Sequence, residues 1–211
     1  MNNITGARVP RMGWFVAACL VWMFAGPLSA MADEAADVQA LAKRKITIVV
    51  DLIRDKSLST EERHRRILEA VEPVFDFDQM ARLSLGKKHW VELDKKTQAE
   101  YLQLFNARLK ESYLEKLDLY TDEQVVVEDA AQVRNRIHVL THLVTKQDRK
   151  EMVYKFYKTD TGWKVYDVVI LGVSVVQIYR SQFNELLARG SLDDLMAKLR
   201  VKGEITINEK K

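Results

Sequence analysis

The spacing of apolar residues changes along the chain and divides it into predicted helices and strands. From Asp33 to about Tyr120, apolar residues recur every three or four positions, which is typical of amphipathic helices. From Gln124 to Leu171 they mostly alternate with polar residues, which is typical of antiparallel strands. After Ser174 the helical spacing returns. We therefore expect an α+β domain with N-terminal helices, a curved antiparallel sheet of about four strands, and closing helices.

Capping signals give the predicted helix boundaries. A side chain that can accept a hydrogen bond, followed three residues later by Glu or Gln, marks the start of a helix. Such pairs are Ser59 with Glu62, Asp76 with Gln79, and Ser174 with Gln177. Pro73, Gly86 and Gly190 stand where the corresponding helices should end. The longest helix is expected from about Asp94 to Tyr120, and Ser191 should begin a short last one.

The predicted strands differ in how regularly apolar and polar residues alternate. The segments QVVVED and QVRNRIHVLTHLVT look like two strands, and KEMVYKFYK and GWKVYDVVIL look like a hairpin joined across TDTG. In the last of these, Val168 to Leu171 are apolar in succession. An antiparallel strand usually buries one face and wets the other, so a continuous run implies cover on both faces. The sequence thus raises the question of what covers the second face.

The N-terminal segment predicts export. Arg8 and Arg11 precede an apolar stretch from Gly13 to Ala25, which is shorter than the ~20 residues of a membrane-spanning helix. The segment ends in the cleavage pattern Ala30-Met31-Ala32, so residues 1–32 are interpreted as a signal peptide. A lipoprotein signal at Cys19 is the alternative, but the apolar stretch continues past that cysteine. We expect a soluble exported protein with one domain at residues 33–203 and a polar tail at 204–211.

Composition excludes some classes of function. Arg8 and Arg11 account for 2 of the 33 Lys and Arg, which leaves 31 against 30 Asp and Glu after cleavage. A balanced charge gives no indication of a nucleic-acid surface. The only cysteine, Cys19, lies in the predicted signal peptide, so the mature domain would have no disulfide.

Residues that could carry chemistry are few. His138 and His142 are four apart on a predicted strand, ~13 Å from each other, so we expect no metal site there. Ser174 is better explained as a helix cap than as a nucleophile, and no catalytic residue is predicted. Asp167 interrupts an apolar strand, and a buried carboxylate needs a partner. Arg82 and Arg180 are the candidate partners in a structural ion pair.

Three stretches carry a resemblance to a known family. They are FDFDQMARLSLGKKHW, FNARLKESYLEKLDLY and GWKVYDVVILGVSVVQIYRSQFNELLARGSLDDLMAKL. In order and spacing they resemble the MlaC family of periplasmic phospholipid carriers, also called toluene-tolerance Ttg2-type proteins. The resemblance covers about residues 71–199. The insertion of Lys87, Lys88 and His89 before Trp90 departs from the family pattern and makes that loop harder to predict.

The resemblance implies a fold and a function. It implies helices and a curved sheet around an apolar lipid pocket, with phospholipid as cargo and no cofactor. It also implies that the protein shuttles phospholipid between an outer-membrane lipoprotein complex and an inner-membrane ABC transporter, which helps maintain outer-membrane asymmetry. The candidate pocket residues are Val74, Phe75, Phe77, Met80, Leu109, Tyr113, Val139, Tyr154, Val165, Tyr166, Val169, Leu171, Val175 and Tyr179.

Two alternatives remain from the residues alone. The first is an exported enzyme on a cone-shaped α+β scaffold, with Asp167 as base and Tyr166 or Tyr179 as hydroxyl partner. The second is an interaction module in which the same apolar residues form a solid core. On the carrier hypothesis, acyl chains cover part of the second face of the last strand.

Overall fold

The computed structural model describes residues 27–120, 124–146 and 148–201. Most of the predicted signal peptide, including Cys19, lies outside these residues, as does the predicted tail at 204–211. The first described helix begins at Pro27, before the predicted cleavage site. The division into leader, domain and tail therefore stays a prediction.

The described residues form seven helices and five strands. The helices are α1 (Pro27–Arg54), α2 (Thr60–Val71), α3 (Phe77–Leu85), α4 (Lys87–Glu92), α5 (Lys95–Asp118), α6 (Val175–Arg189) and α7 (Leu192–Arg200). The strands are β1 (Gln124–Val133), β2 (Arg136–Val144), β3 (Arg149–Thr159), β4 (Gly162–Ile170) and β5 (Val173–Ser174). They form one curved, open antiparallel sheet in the order of the chain. The α+β class is confirmed, with five strands rather than four.

The helix starts follow the capping signals. The side chains of Ser59, Asp76 and Ser174 each accept a hydrogen bond from the backbone N–H three residues later. The same bond at Asp94 opens α5, and Ser191 opens α7 with a complete capping box. Each bond satisfies a backbone donor that a helix end otherwise leaves free. The predicted boundaries of these helices are confirmed.

The short helix α4 was not predicted. Gly86 has φ +84°, a conformation that favours glycine, and its N–H closes the last turn of α3. The chain then turns directly into α4, which carries the inserted residues Lys87, Lys88 and His89. Only six residues long, this helix gives a weak periodic signal in the sequence.

The hairpin between β1 and β2 lies at a different place from the one expected. The sequence pattern assigned Val133 to the second strand, but in the structure Val133 ends β1 and pairs with Arg136. The two-residue turn is Arg134 and Asn135, with Arg134 at φ +57°. The turn contains no glycine, so the sequence did not mark it clearly. The hairpin at TDTG is confirmed by the pair Thr159–Gly162.

A β-bulge determines which residues of β4 share a face. Lys155 pairs with Asp167 and Phe156 pairs with Val165, so Tyr166 is an extra residue in β4. A bulge of this kind shifts the alternation of side chains by one position and bends the strand. As a result, Val165 and Val168 face the same side although they are three residues apart.

The apolar run at the end of β4 is not a strand buried on both faces. The strand ends at Ile170, and Leu171 and Gly172 form the turn to β5, with φ +50° and +80°. Leu171 is 59% exposed. The prediction that Leu171 belongs to the strand and faces a lipid is wrong. Positive φ at both turn residues is what a tight two-residue hairpin requires, and it takes Leu171 out of the sheet.

The buried apolar residues in the described part of the chain pack into three clusters. The first joins α3, α5, α6 and α7 around Phe105, Tyr179 and Phe183. The second packs the N-terminal half of α1 onto the sheet. The third joins the C-terminal half of α1 to α2 and α5 through Ile53, Ile67 and Leu114. Phe75 and Val168 pack against both the first and the second cluster, so these two clusters adjoin.

The predicted ion pair of Asp167 exists with a different partner. Asp167 is only 4% exposed, and its carboxylate accepts a hydrogen bond from Lys155 Nζ at 3.0 Å. It also accepts bonds from the hydroxyl of Ser174, at 2.8 and 2.9 Å, and from the N–H of Val176, at 3.2 Å. The carboxylate thus ties β4 to β3 and to the start of α6.

The arginines proposed as partners of Asp167 lie elsewhere, so that assignment is wrong. Arg82 lies over the ring of Trp90, and Arg180 lies beside Gly86. Lys155 is directly opposite Asp167 across the β3–β4 pair. Cross-strand register, which the sequence does not show, decides the partner.

We expect Asp167→Asn to lower the free energy of unfolding by about 1–4 kcal/mol, because Lys155 loses its counter-charge. Urea denaturation measures the change. The exposed Asp193 on α7 supplies a control, since Asp193→Asn should change stability by no more than about 0.5 kcal/mol. Unchanged stability of Asp167→Asn would contradict a structural role.

Candidate functional site

An apolar cavity of about 440 Å³ lies where the three clusters meet. Its wall includes Leu109 from the first cluster, Val165 from the second and Leu114 from the third. Apart from three lysines, the described lining residues are apolar or aromatic, and none is acidic. The volume lies within the range of ~300–1,000 Å³ that is usual for ligand cavities.

The sheet and five helices supply the wall. In β3, Met152, Tyr154 and Phe156 alternate into the cavity, as expected for one face of a strand. In β4 the bulge brings Val165, Val168 and Ile170 to the same face. Helices α1, α2, α3, α5 and α6 supply the rest of the wall. The inner face of the sheet is therefore covered partly by helices and partly by empty space.

Nine of the predicted pocket residues line this cavity. They come from the turn before α3, from α3, α5 and α6, and from β3 and β4. They are Val74, Phe75, Phe77, Met80, Leu109, Tyr113, Tyr154, Val165 and Val175.

Five predicted residues are not in the wall. Val139 and Tyr179 are fully packed inside the second and first clusters, respectively. Val169 lies between Val168 and Ile170, so alternation turns it to the other face of the sheet. The other two are Tyr166, which packs edge-on against Tyr157, and the exposed Leu171. The bulge and the turn displace these last two from the pattern that the sequence suggested.

The sequence-based list missed the contribution of α1 and α2. Ile46, Val49, Val50 and Ile53 line the cavity from α1, and α2 adds Ile67, Leu68 and Val71. The α1 residues show helical spacing in the sequence, which was the available signal. That spacing identifies an apolar face but not whether the face meets a core or a cavity.

Tyr154 places a hydroxyl group in this apolar wall. Among the described residues, its hydroxyl has no hydrogen-bond partner, and its ring packs edge-on against Phe75 at 6.5 Å. Burial raises the pKa of the Tyr154 phenol to about 12. The group is therefore neutral at physiological pH and leaves the cavity uncharged at this point.

Two of the three lysines in the wall place their ammonium groups over aromatic rings. Lys110 lies over the ring of Phe77 at 4.8 Å, and its ammonium group donates to Glu72 at 2.6 Å. Lys116 lies over the ring of Tyr113 at 5.6 Å. Lys45 on α1 is the third. A cation over the face of an aromatic ring is attracted by the ring's negative face, so Lys110 and Lys116 place their charges against the aromatic part of the wall.

The described residues show no arrangement of a metal centre or of the proposed enzyme. No three His, Cys, Asp or Glu side chains among them are grouped to hold a metal ion. Asp167, Tyr166 and Tyr179, the residues of the enzyme hypothesis, do not line the cavity. None of the helices in the described part of the chain is long and apolar enough to cross a membrane.

Comparison with known proteins identifies relatives. The family described as MlaC protein matches residues 43–201. Among solved structures, the chain is similar to a phospholipid-binding protein from Ralstonia solanacearum that was solved in complex with a phospholipid. The two chains are 20% identical, with a TM-score of 0.68 over 76% of this chain and 93% of the other. No curated protein matches the chain significantly. At this identity, the structural similarity supports the fold.

Tyr154 predicts a pH dependence of stability. The unfolded chain loses the phenol proton near pH 10, whereas the folded protein keeps it to about pH 12. The free energy of unfolding should therefore fall between these pH values, by up to about 1.4 kcal/mol per pH unit from this group. Tyr154→Phe should lose less stability over the same range in urea denaturation. Equal losses in both proteins would contradict a dry cavity around this hydroxyl.

Proposed function

Because this chain belongs to the MlaC family, we propose that its cavity binds the acyl chains of a phospholipid and that the protein carries this lipid through the periplasm. The observation that supports the proposal best is the composition of the cavity wall. Apolar and aromatic side chains surround it from the sheet and from five helices, and no described lining residue is acidic. Such a surface suits hydrocarbon and offers few groups for chemistry on a polar substrate.

The energetics of lipid transfer explain why a plain apolar wall suffices. Each buried methylene contributes about 0.8 kcal/mol, so two acyl chains exposed to water would cost on the order of 20 kcal/mol or more. The chains are already away from water in the bilayer. A carrier therefore has only to match the bilayer approximately, and an apolar wall can do this without specific polar contacts.

The cavity also favours a lipid carrier over the two alternatives, an interaction module with a solid core and an exported enzyme. An interaction module with a solid core would fill the space that lies between the three clusters. An enzyme would need polar groups directed at its substrate, and Asp167 is held instead by Lys155 and Ser174 outside the cavity. These observations favour a binding protein.

We further propose that the lipid moves between an outer-membrane lipoprotein complex and an inner-membrane ABC transporter of the Mla type. The family resemblance and the predicted signal peptide support this part. On this proposal the contacts with both partners are transient, because a carrier has to leave each of them. Outer-membrane lipid asymmetry would depend on this traffic.

Phospholipid should be present in protein purified from the periplasm, and filling the cavity should remove it. Val168→Trp places a large ring into the cavity, so bound phospholipid should fall several-fold while the domain stays folded. Val169→Trp is the matched control, since the neighbouring side chain points to the other face of the sheet. Organic extraction with mass spectrometry measures the lipid, and thermal melting of the same preparation measures folding.

Two results would contradict the carrier proposal. The first is wild-type protein without any phospholipid, even after incubation with phospholipid vesicles. The second is a Val168→Trp protein that melts well below wild type with no change in lipid content, because overpacking of a solid core typically costs about 1–3 kcal/mol.

The mature protein should begin at Asp33. This follows from the pattern Ala30-Met31-Ala32 and from the apolar stretch that continues past Cys19. The intact mass of the protein from a periplasmic fraction tests it. A diacylated species that begins at Cys19 would show that the protein is a lipoprotein instead.

A further inference from the structure

A second depression adjoins the apolar cavity and has the opposite character. Its volume is about 390 Å³, and acidic, basic and amide side chains dominate its wall. The lining residues are Glu72, Phe75, Asp76, Phe77, Asp78, Asn106, Lys110 and Lys164. Three of them, Phe75, Phe77 and Lys110, also line the apolar cavity. The two spaces are therefore neighbours that share one wall.

The shared wall consists of two stacked rings and one lysine. The rings of Phe75 and Phe77 are 5.5 Å apart with an interplanar angle of 18°. The ammonium group of Lys110 lies over the ring of Phe77 and donates a hydrogen bond to Glu72. A molecule that places hydrocarbon on one side of these rings can place a polar group on the other side. This is the arrangement of a phospholipid at the boundary between its acyl chains and its headgroup.

Lys164 gives the depression a positive charge without a counter-charge. Its Nζ donates to the carbonyl oxygen of Pro73 at 2.6 Å, and it forms no ion pair with any residue that the structure describes. An ammonium group has three donors, so further donors remain for an anionic ligand. A phosphate group is such a ligand and accepts several charge-assisted hydrogen bonds at once.

Asp78 gives the same depression a negative charge without a counter-charge. It accepts a hydrogen bond from the neutral side-chain amide of Asn106 at 2.7 Å and has no ion pair in the described part of the chain. Asp76 differs, because both of its carboxylate oxygens are used, by the N–H of Gln79 and the hydroxyl of Tyr157. Asp78 is therefore the carboxylate available to a cationic group.

We propose that this depression binds a zwitterionic phospholipid headgroup, with the phosphate at Lys164 and Lys110 and the ammonium group at Asp78. The inference rests on the proposed binding of acyl chains in the adjoining cavity. One free cation and one free anion on the same wall match the two charges of such a headgroup. A headgroup with a phosphate and no ammonium would leave Asp78 unpaired and would meet the carboxylates of Glu72 and Asp76.

The lysines of the cavity itself are a poorer match for this headgroup. Lys45 and Lys116 could attract a phosphate, but no acidic residue lines the cavity among the residues described, so an ammonium group would have no partner there. A headgroup at these lysines would therefore select for anionic lipids. This difference makes the two positions distinguishable by experiment.

Competition between lipids with the same acyl chains tests the proposal. The purified mature protein, stripped of lipid, is incubated with vesicles of equal amounts of dioleoyl phosphatidylethanolamine, phosphatidylglycerol and diacylglycerol. It is then re-isolated, and its lipid is quantified by mass spectrometry. We expect phosphatidylethanolamine to exceed phosphatidylglycerol about two- to fivefold, the range for one partly exposed ion pair.

Two substitutions test the two proposed charge contacts one at a time. Asp78→Asn should return the ratio of the two phospholipids to that of the vesicles. Lys164→Gln should lower both phospholipids relative to diacylglycerol, which lacks a phosphate. Asp193→Asn and Lys198→Gln on α7 are the matched controls and should change neither ratio. All four positions are at the surface, and melting temperatures confirm that the variants fold.

Each outcome of the lipid competition either supports or contradicts the proposed headgroup site. Phospholipid bound in the proportions of the vesicles, with both variants like wild type, would overturn the headgroup site but leave the carrier proposal intact. A change caused by Lys45→Gln or Lys116→Gln, but not by Lys164→Gln or Asp78→Asn, would place the headgroup at the other position and overturn the inference. Absence of any bound lipid would overturn both proposals.

Discussion

The structure depends on an apolar cavity that the surrounding apolar side chains do not fill. Side chains that line a space of about 440 Å³ have no partner atoms on that side, so they lack packing contacts that a filled core would supply. The cavity lies between three clusters of buried apolar residues, so its walls have packed side chains behind them. Hydrocarbon in the cavity would return the lost contacts, which links stability to occupancy.

Polar bonds around the cavity hold the walls in place without entering it. Asp167 joins β4 to β3 and to the start of α6 through Lys155 and Ser174. The segment before α3 runs beside β4, with Val165 bonded to Val74 and Asp76 through their backbones. These bonds fix the sheet against the helices at the points where the cavity begins. A wall held in this way does not need direct contact with the opposite wall.

The division between apolar and polar surface accounts for a binding protein without catalytic groups. Apart from three lysines and the hydroxyl groups of its tyrosines, the described cavity wall offers only hydrocarbon and aromatic contacts, whereas Lys164 and Asp78 line the adjoining depression beyond the rings of Phe75 and Phe77. A phospholipid has the same division within one molecule. Membership of the MlaC family and the fold of the Ralstonia solanacearum protein are consistent with this function.

Local signals in the sequence determined the helix caps at Ser59, Asp76 and Ser174, the α+β class and the family, because these depend on residues close together in the chain. They also placed nine of the fourteen candidate residues at the cavity, since helical and alternating patterns identify apolar faces. Tertiary structure alone decided the rest. The bulge at Tyr166 and the turn at Leu171 changed which side chains face inward, and cross-strand register made Lys155 the partner of Asp167. Whether an apolar face meets a core or a cavity depends on the distance between elements, and no local pattern of residues encodes that distance.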